Sequence, residues 1–381
     1  MKRILSIDVL RSITMFLMIF VNDVAGVNRI PKWIGHTPAD FDGMGFSDVI
    51  FPAFLFIVGL SLPFAITARI KRGDSSFSIV GYILLRSLAL IVMGFFHVNL
   101  ENYNHEIAVI SYPVYKILLT LGFFLIWLDY PHRMSKTTHR MSRIVGILLV
   151  GLMAYFYKGN DGGLQPHWWG ILGIIGWAYL FAALVYLITK GKLGWLMFSF
   201  LIFSLINITT HANLLHVNLW MIGDASSITL MLGGAVVASM YTQLENKDKN
   251  LWIFLAVAGL ASILFGFIIR SYTGGISKIH ATPAWVFICM GITILVFEVF
   301  IYIVDVKGKK DWFSFIKPAG TSTLTCYLIP YVLYSVFTLI NFNYPYSLTY
   351  GIGGILRSLF IAIVVIRIVA QMEKWGWRLK V

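Results

Sequence analysis

Between residues 5 and 371 the chain keeps returning to apolar stretches of about twenty residues, joined by short polar connections. A helix rises about 1.5 Å per residue, so each stretch can cross a hydrocarbon core of roughly 30 Å. The stretches are continuously apolar rather than alternating, which excludes a transmembrane β-barrel. A water-soluble domain carries roughly a quarter charged residues. Here 12% of 381 residues are charged and 58% are hydrophobic. The expected fold class is therefore an all-α, polytopic integral membrane protein with about 11 to 12 transmembrane helices. Hydropathy with charged and turn-forming boundaries places twelve spans near 5–26, 47–68, 79–98, 113–129, 143–157, 169–188, 193–209, 225–243, 250–270, 282–304, 319–340 and 349–371. No repeat or low-complexity tract is visible, and residues 1–381 read as a single membrane domain.

The net charge of +13 is distributed in a way that argues against a nucleic-acid partner. With the N-terminus cytoplasmic, 20 of the 30 Lys and Arg residues fall at inner ends and loops, among them Lys2, Arg3, Lys71, Arg133, Lys247 and Lys380. The outer side holds only Arg29, Lys32, Lys158 and Lys278. Such a bias is an orientation signal; it supports an even number of spans with both termini cytoplasmic, and the lipid bilayer with its anionic headgroups as the ordinary basic partner. The apolar run after Lys2 and Arg3 exceeds twenty residues and lacks a small-residue cleavage site, so no cleavable signal peptide is expected. These features suit a bacterial inner membrane; a homodimer is left open.

Ionisable groups within spans are costly and usually face a cavity or a partner. Asp8 and Arg11, three apart in the first span, share a helical face and read most simply as an ion pair. Lys116, Arg270 and Arg367 lie where snorkelling suffices. Arg86 and Arg357 sit about two turns inside their spans, too deep for that, and a forked guanidinium there suits an anionic, phosphate-like ligand. The outer loops gather a second polar set. His36, Asp40 and Asp42 come first, then Asn99, Glu101 and Asn102, then Asp161, Gln165, His167, Trp168 and Trp169, then His211, His216, Asn218, Trp220 and Asp224. Carboxylates, amides and tryptophans on one rim suit a sugar, although Trp also belongs to the interfacial belt of any membrane protein. The histidines lack compact metal-ligand spacing, and no metal is expected.

The most specific stretch is RILSIDVLRSITMFLMIFVND, a His-containing loop, and DGMGFSDVIFPAFLFIVGLSL. It resembles the start of the heparan-α-glucosaminide N-acetyltransferase family and its bacterial relatives. The positions that carry the resemblance are Arg3, Ser6, Asp8 and Arg11; Val21 and Asn22; His36; Asp42 with Gly43; and Asp48, Phe51, Pro52, Phe54, Phe56 and Gly59. Weaker echoes lie in ISKIHATPAW and PAGTSTLTCYLIPY. The resemblance implies an acyltransferase that takes acetyl-CoA from the cytoplasm and acetylates an amino sugar across the membrane. It implies that His36 is catalytic and that Asn22 assists it.

The residue chemistry is compatible with that expectation. An amine attacks a thioester only when neutral, and an imidazole, with an ordinary pKa of about 6.5, can take its proton near neutral pH. Asp40 or Asp48 could hold the ring in one tautomer. The Asn22 amide could donate to the thioester oxygen as charge develops, an effect worth roughly 3–4 kcal/mol. Direct transfer and an acetyl-histidine intermediate both remain open. Asp48 reads equally well as a cap for the second span. Arg11, Arg86 and Arg357 are the residues expected to hold the anionic part of CoA. A transporter of amino sugars is the alternative, since many carriers combine twelve spans with buried charges; discontinuous helices would favour it.

Overall fold

The computed structural model describes residues 4–130, 134–214, 220–244 and 249–381. Lys2, Arg3, Arg133, His216, Asn218 and Lys247 lie outside the described residues. Among the described residues the chain is built of helices, with no strand: α1 (Leu5–Val24), α2 (Phe46–Lys71), α3 (Ser76–Asn99), α4 (Tyr112–Trp127), α5 (Lys136–Phe156), α6 (Ile171–Ile188), α7 (Leu193–His211), α8 (Ser226–Gln243), α9 (Lys249–Ile269), α10 (Pro283–Phe300), α11 (Lys317–Thr321), α12 (Thr323–Leu339) and α13 (Gly351–Lys374). All twelve expected spans fall on helices. Nine of the described helices are long and apolar enough to cross a membrane, or ten when a bent pair is joined into one. The remaining two depart for different reasons. The 16 residues of α4 make a short crossing, whereas α8 is rich in Gly, Ser and Thr because protein, not lipid, surrounds most of it.

Two boundaries differ instructively from hydropathy. The helix expected at 143–157 begins at Lys136, because Ser135 accepts from the Thr138 amide and caps a polar first turn that hydropathy cannot see. The span expected at 319–340 is broken: the segment Lys310–Thr321 meets Thr323–Leu339 at 74°.

Burial sorts the helices into layers. Within their most apolar windows α1 is 61% and α2 67% buried, against 11% for α5 and 17% for α7 and α9. The outer helices turn Leu148 and Leu152, Leu201 and Leu205, and Leu260 and Leu264 outward, as lipid-facing helices should. At the centre, close approach depends on small residues. A Cβ on Gly59 of α2 would sit 2.0 Å from the Met231 carbonyl oxygen, and one on Gly234 of α8 would sit 2.1 Å from that of Phe56. The Gly94–Gly173 crossing joins α3 to α6 in the same manner. The central helix α1 packs on α2, α10, α11, α12 and α13. Both described chain ends lie on one side, called here the terminal side, where Ile4 and Val381 border the same cavity.

Candidate active site

One stripe of α1 organises the site. Asp8, Arg11, Met15, Met18 and Asn22 recur at intervals of three or four residues, and so share a helix face. Asp8 to Asn22 covers about 21 Å at 1.5 Å per residue. Two cavities open along it. The terminal-side cavity, about 610 Å³, is bordered by Asp8, Arg11, Lys71, Arg86, Tyr179 and Lys380. The far-side cavity, about 1160 Å³, is bordered by Asn22, His36, Trp168, Trp220, Asp224 and Lys278. Met18 of α1 and Ile171 of α6 border both.

His36 stands in the loop that joins α1 to α2, and its ring is held from behind. Asp48, on the first turn of α2, is fully buried and lies 2.7 Å from His36 Nδ1 through its Oδ1. Its Oδ2 accepts from the Thr37 amide at 3.1 Å, the Thr37 hydroxyl at 2.9 Å and the Gly45 amide at 2.9 Å. The expected capping role and the expected ring-holding role therefore belong to different oxygens of one carboxylate: Oδ2 reaches back to the residue before α2, and Oδ1 faces the imidazole. A carboxylate accepts only, so in the tautomer that carries its proton on Nδ1 the ring donates to Asp48 and presents Nε2 as the acceptor. The side chain of His36 is 32% exposed and borders the far-side cavity, and its Nε2 has no hydrogen-bond partner among the described residues. Asn22 is exposed and borders the same cavity, without a hydrogen bond from its amide among the described residues. Asp40 is exposed and is not hydrogen-bonded to the ring.

The loop is pinned by Asp42. Both of its carboxylate oxygens lie within 3.0 Å of Arg270 Nε, and Oδ1 accepts from the Ile276 amide at 2.6 Å. The Ile276 amide and then Arg270, against a burial effect of opposite sign, hold the Asp42 carboxyl below the usual carboxylate range. That clamp joins the α1–α2 loop to the α9–α10 loop and brings Lys278 to the site. Lys278 Nζ lies 3.0 Å from His36 Nδ1 and 3.8 Å from Asp48 Oδ1. Burial pushes its ammonium down from the ordinary lysine range, and the Asp48 charge opposes this. Sequence reasoning counted Lys278 as one of four outer cations without placing it in the site. Its signal was there, in the echo ISKIHATPAW.

The polar rim divides into two parts. Trp168, Trp169, His167, Trp220, His211 and Asp224 border the far-side cavity. Trp168 packs edge-on against Trp220 with centroids 5.4 Å apart. Asp224 Oδ1 accepts from Ser226, while burial pushes the carboxyl up and Oδ2 stands 3.7 Å from His211 Nε2. By contrast Asn99, Asn102 and Asp161 spend their hydrogen bonds on tying one loop to another, through Gln165, Asn160 and each other.

The three arginines separate as well. Arg11 and Arg86 border the terminal-side cavity. Arg11 also contacts the Asp8 carboxylate at 3.5 Å and the Ser61 hydroxyl. Arg86 donates to the Tyr82 hydroxyl at 2.9 Å and lies over the Tyr179 ring; among the described residues it has no carboxylate partner, and its Nε is buried without a hydrogen bond. Arg357 borders neither cavity. Its guanidinium contacts the Asp23 carboxylate at 2.8 Å, which also accepts from Ser358 and Tyr334. That group ties α1 to α12 and α13. No cluster of three His, Cys, Asp or Glu close enough to hold a metal occurs among the described residues.

Comparison with known proteins places this geometry in context. A family model described as a domain of unknown function, DUF5009, matches residues 3–221, more than half of the chain. Heparan-alpha-glucosaminide N-acetyltransferase of Homo sapiens is 38% identical over 101 residues, covering 26% of this chain and 14% of that protein. The protein of the same name from Mus musculus is 33% identical over 102 residues, covering 27% of this chain and 15% of its own length. The chain thus spans about a seventh of the length of the curated relatives it matches.

Proposed function

The chain belongs to the DUF5009 family and is a distant relative of heparan-alpha-glucosaminide N-acetyltransferase; from that premise we propose that it is a membrane-embedded acetyltransferase. The donor is acetyl-CoA, approaching from the terminal side, which is cytoplasmic, and the acceptor is an amino sugar on the far side of a bacterial inner membrane. The observation that carries the reading is the pair of cavities that adjoin at Met18 and Ile171. One is walled by cations and the other by His36.

The residues fit such a donor. The Arg86 guanidinium, which has no carboxylate partner among the described residues, offers forked charge to phosphates, with Arg11, Lys71 and Lys380 around the same space. Met15, Met18, Phe54 and Leu172 continue the wall in apolar material suited to a slender acyl arm. The thioester then reaches the level of Asn22.

His36 Nε2 takes a proton from the acceptor ammonium, and Asp48 stabilises the resulting imidazolium through Nδ1. The neutral amine bonds to the thioester carbonyl carbon while the Asn22 amide donates to its oxygen. The carbon–sulfur bond then breaks. The nitrogen loses two protons overall; one completes the CoA thiol and one is released to solvent. Asp224 and the Trp168–Trp220 pair supply a carboxylate and aromatic faces for an amino sugar. The bend at Ser322 is the feature that favours a carrier, but a Cβ on Gly320 beside it would meet Asp8 and Ser12 on the early turns of α1. The break therefore lies at the terminal-side mouth and not at the midplane, where a carrier would need it.

The test is consumption of acetyl-CoA by purified protein given glucosamine or a glucosaminyl-ended oligosaccharide, with His36→Ala as control. Acetyl transfer lost in the variant supports the reading. Movement of labelled amino sugar without acetyl-CoA consumption supports the carrier.

A further inference from the structure

The carboxylate behind His36 faces two groups that can carry positive charge. Asp48 is fully buried, and its Oδ1 lies 2.7 Å from the imidazole Nδ1 and 3.8 Å from the Lys278 ammonium. Lys278 Nζ is also 3.0 Å from Nδ1, on the same edge of the ring. One buried negative charge can balance one positive charge, so two cations there compete for it. The arrangement also constrains tautomers. An ammonium donating to the Nδ1 lone pair would move the ring proton to Nε2 and leave no base facing the cavity. With Nδ1–H directed at Asp48, the ammonium is left to Asp48 as a charge partner.

We propose that Lys278 is a positioning residue for His36. Its ammonium balances the Asp48 charge while the ring is neutral, and so keeps Nε2 unprotonated and open to the far-side cavity. Without Lys278 the lone carboxylate would draw a proton onto the ring, and Nε2 would be blocked before an acceptor arrived.

The surroundings leave this balance to the three residues. On the loop of His36, Asp42 is engaged by Arg270 and the Ile276 amide, and Asp40 is exposed. On the loop of Lys278, His280 is exposed and its carbonyl lies against His211. From α10, Cys289 is buried near Asp48 and Lys278, and Trp285 donates to the Asp48 carbonyl. Across the cavity, Asp224 has His211 as its own partner.

This inference rests on reading His36 as a base, but it can be tested without acetyl transfer. Diethyl pyrocarbonate modifies only the unprotonated imidazole, so the rate of His36 modification against pH reports the ring directly. The purified protein is treated across pH 5–9, and the His36 peptide is followed by mass spectrometry. For Lys278→Met and Lys278→Gln the midpoint is expected to move to higher pH. At the pH where the wild type is half reactive, both variants should be modified at least threefold more slowly, and Lys278→Arg should restore the wild-type curve. Superimposable curves, or slowing by one factor at every pH, would overturn the proposal. Loss of acetyl transfer in the wild type would instead count against the acetyltransferase reading and leave these curves to be judged separately.

Discussion

Met18 on α1 and Ile171 on α6 border both cavities, the one that Arg11 lines and the one that His36 lines. On the proposed route a long acyl arm passes beside them. Met18→Trp adds bulk at that point and leaves Arg86 and His36 themselves unchanged. Acetyl transfer should fall at least tenfold, while CoA affinity measured by calorimetry stays within about threefold of wild type. A fall in both together would place the donor elsewhere.

Asp48 should matter through its charge more than its shape. In Asp48→Asn the side-chain oxygen can still accept from Gly45 and Thr37, so folding should survive with a loss of about 1–3 kcal/mol. The imidazolium would lose its counter-charge, and the transfer rate should drop by about 10²–10⁴. Steady-state rates beside a thermal melt separate the two effects.

Arg86 is the cleanest test of the donor end. A charge-assisted hydrogen bond contributes roughly 1.5–3 kcal/mol, so Arg86→Met should weaken CoA binding about ten- to a hundredfold. An unchanged Kd by calorimetry would remove Arg86 from the donor site.

Much of this was legible in the sequence because span length and charge placement are local signals. All twelve spans appear as helices, and Arg11, Arg86, Asn22, His36 and Asp48 fall on the walls of, or directly behind, the two cavities. Other parts depend on contacts between distant segments. Lys278 enters the site only because Asp42 holds the α9–α10 loop from 228 residues away. Arg357 reads from sequence as a guanidinium too deep to snorkel and suited to an anionic ligand, yet it pairs with Asp23 on the first helix. Asp40 and Asp48 cannot be ranked from spacing alone; the chain folds Asp48, 12 positions after His36, back to the ring and leaves Asp40 exposed. The break at Ser322 is invisible to hydropathy because the residues on both sides of it, within 319–340, count towards one span.

The loop clamp predicts an acid sensitivity. Asp42 stays charged to lower pH in the folded chain than a free aspartate, whose pKa is about 3.9. Its contribution to stability is complete above that value and is lost as pH falls through the lower folded value. Asp42→Asn should flatten this part of a melting temperature–pH curve and leave the region above pH 5 with the wild-type slope.

Gly59 tests the packing that sets α2. A Cβ there meets the Met231 backbone at 2.0 Å, and backbone cannot swing aside as a side chain can. Gly59→Val should cost about 1–3 kcal/mol or more through overpacking, read as a lower melting temperature in detergent.

The central claim is that one continuous route carries an acetyl group from cations on the terminal side to His36 on the far side. It is tested most directly in sealed vesicles that hold the protein with its terminal side outward, glucosamine inside and labelled acetyl-CoA outside. The account predicts N-acetylated sugar accumulating inside while CoA is released outside, with both lost in His36→Ala. Acetylated product appearing only on the side of the donor, or label retained equally by His36→Ala, would contradict it.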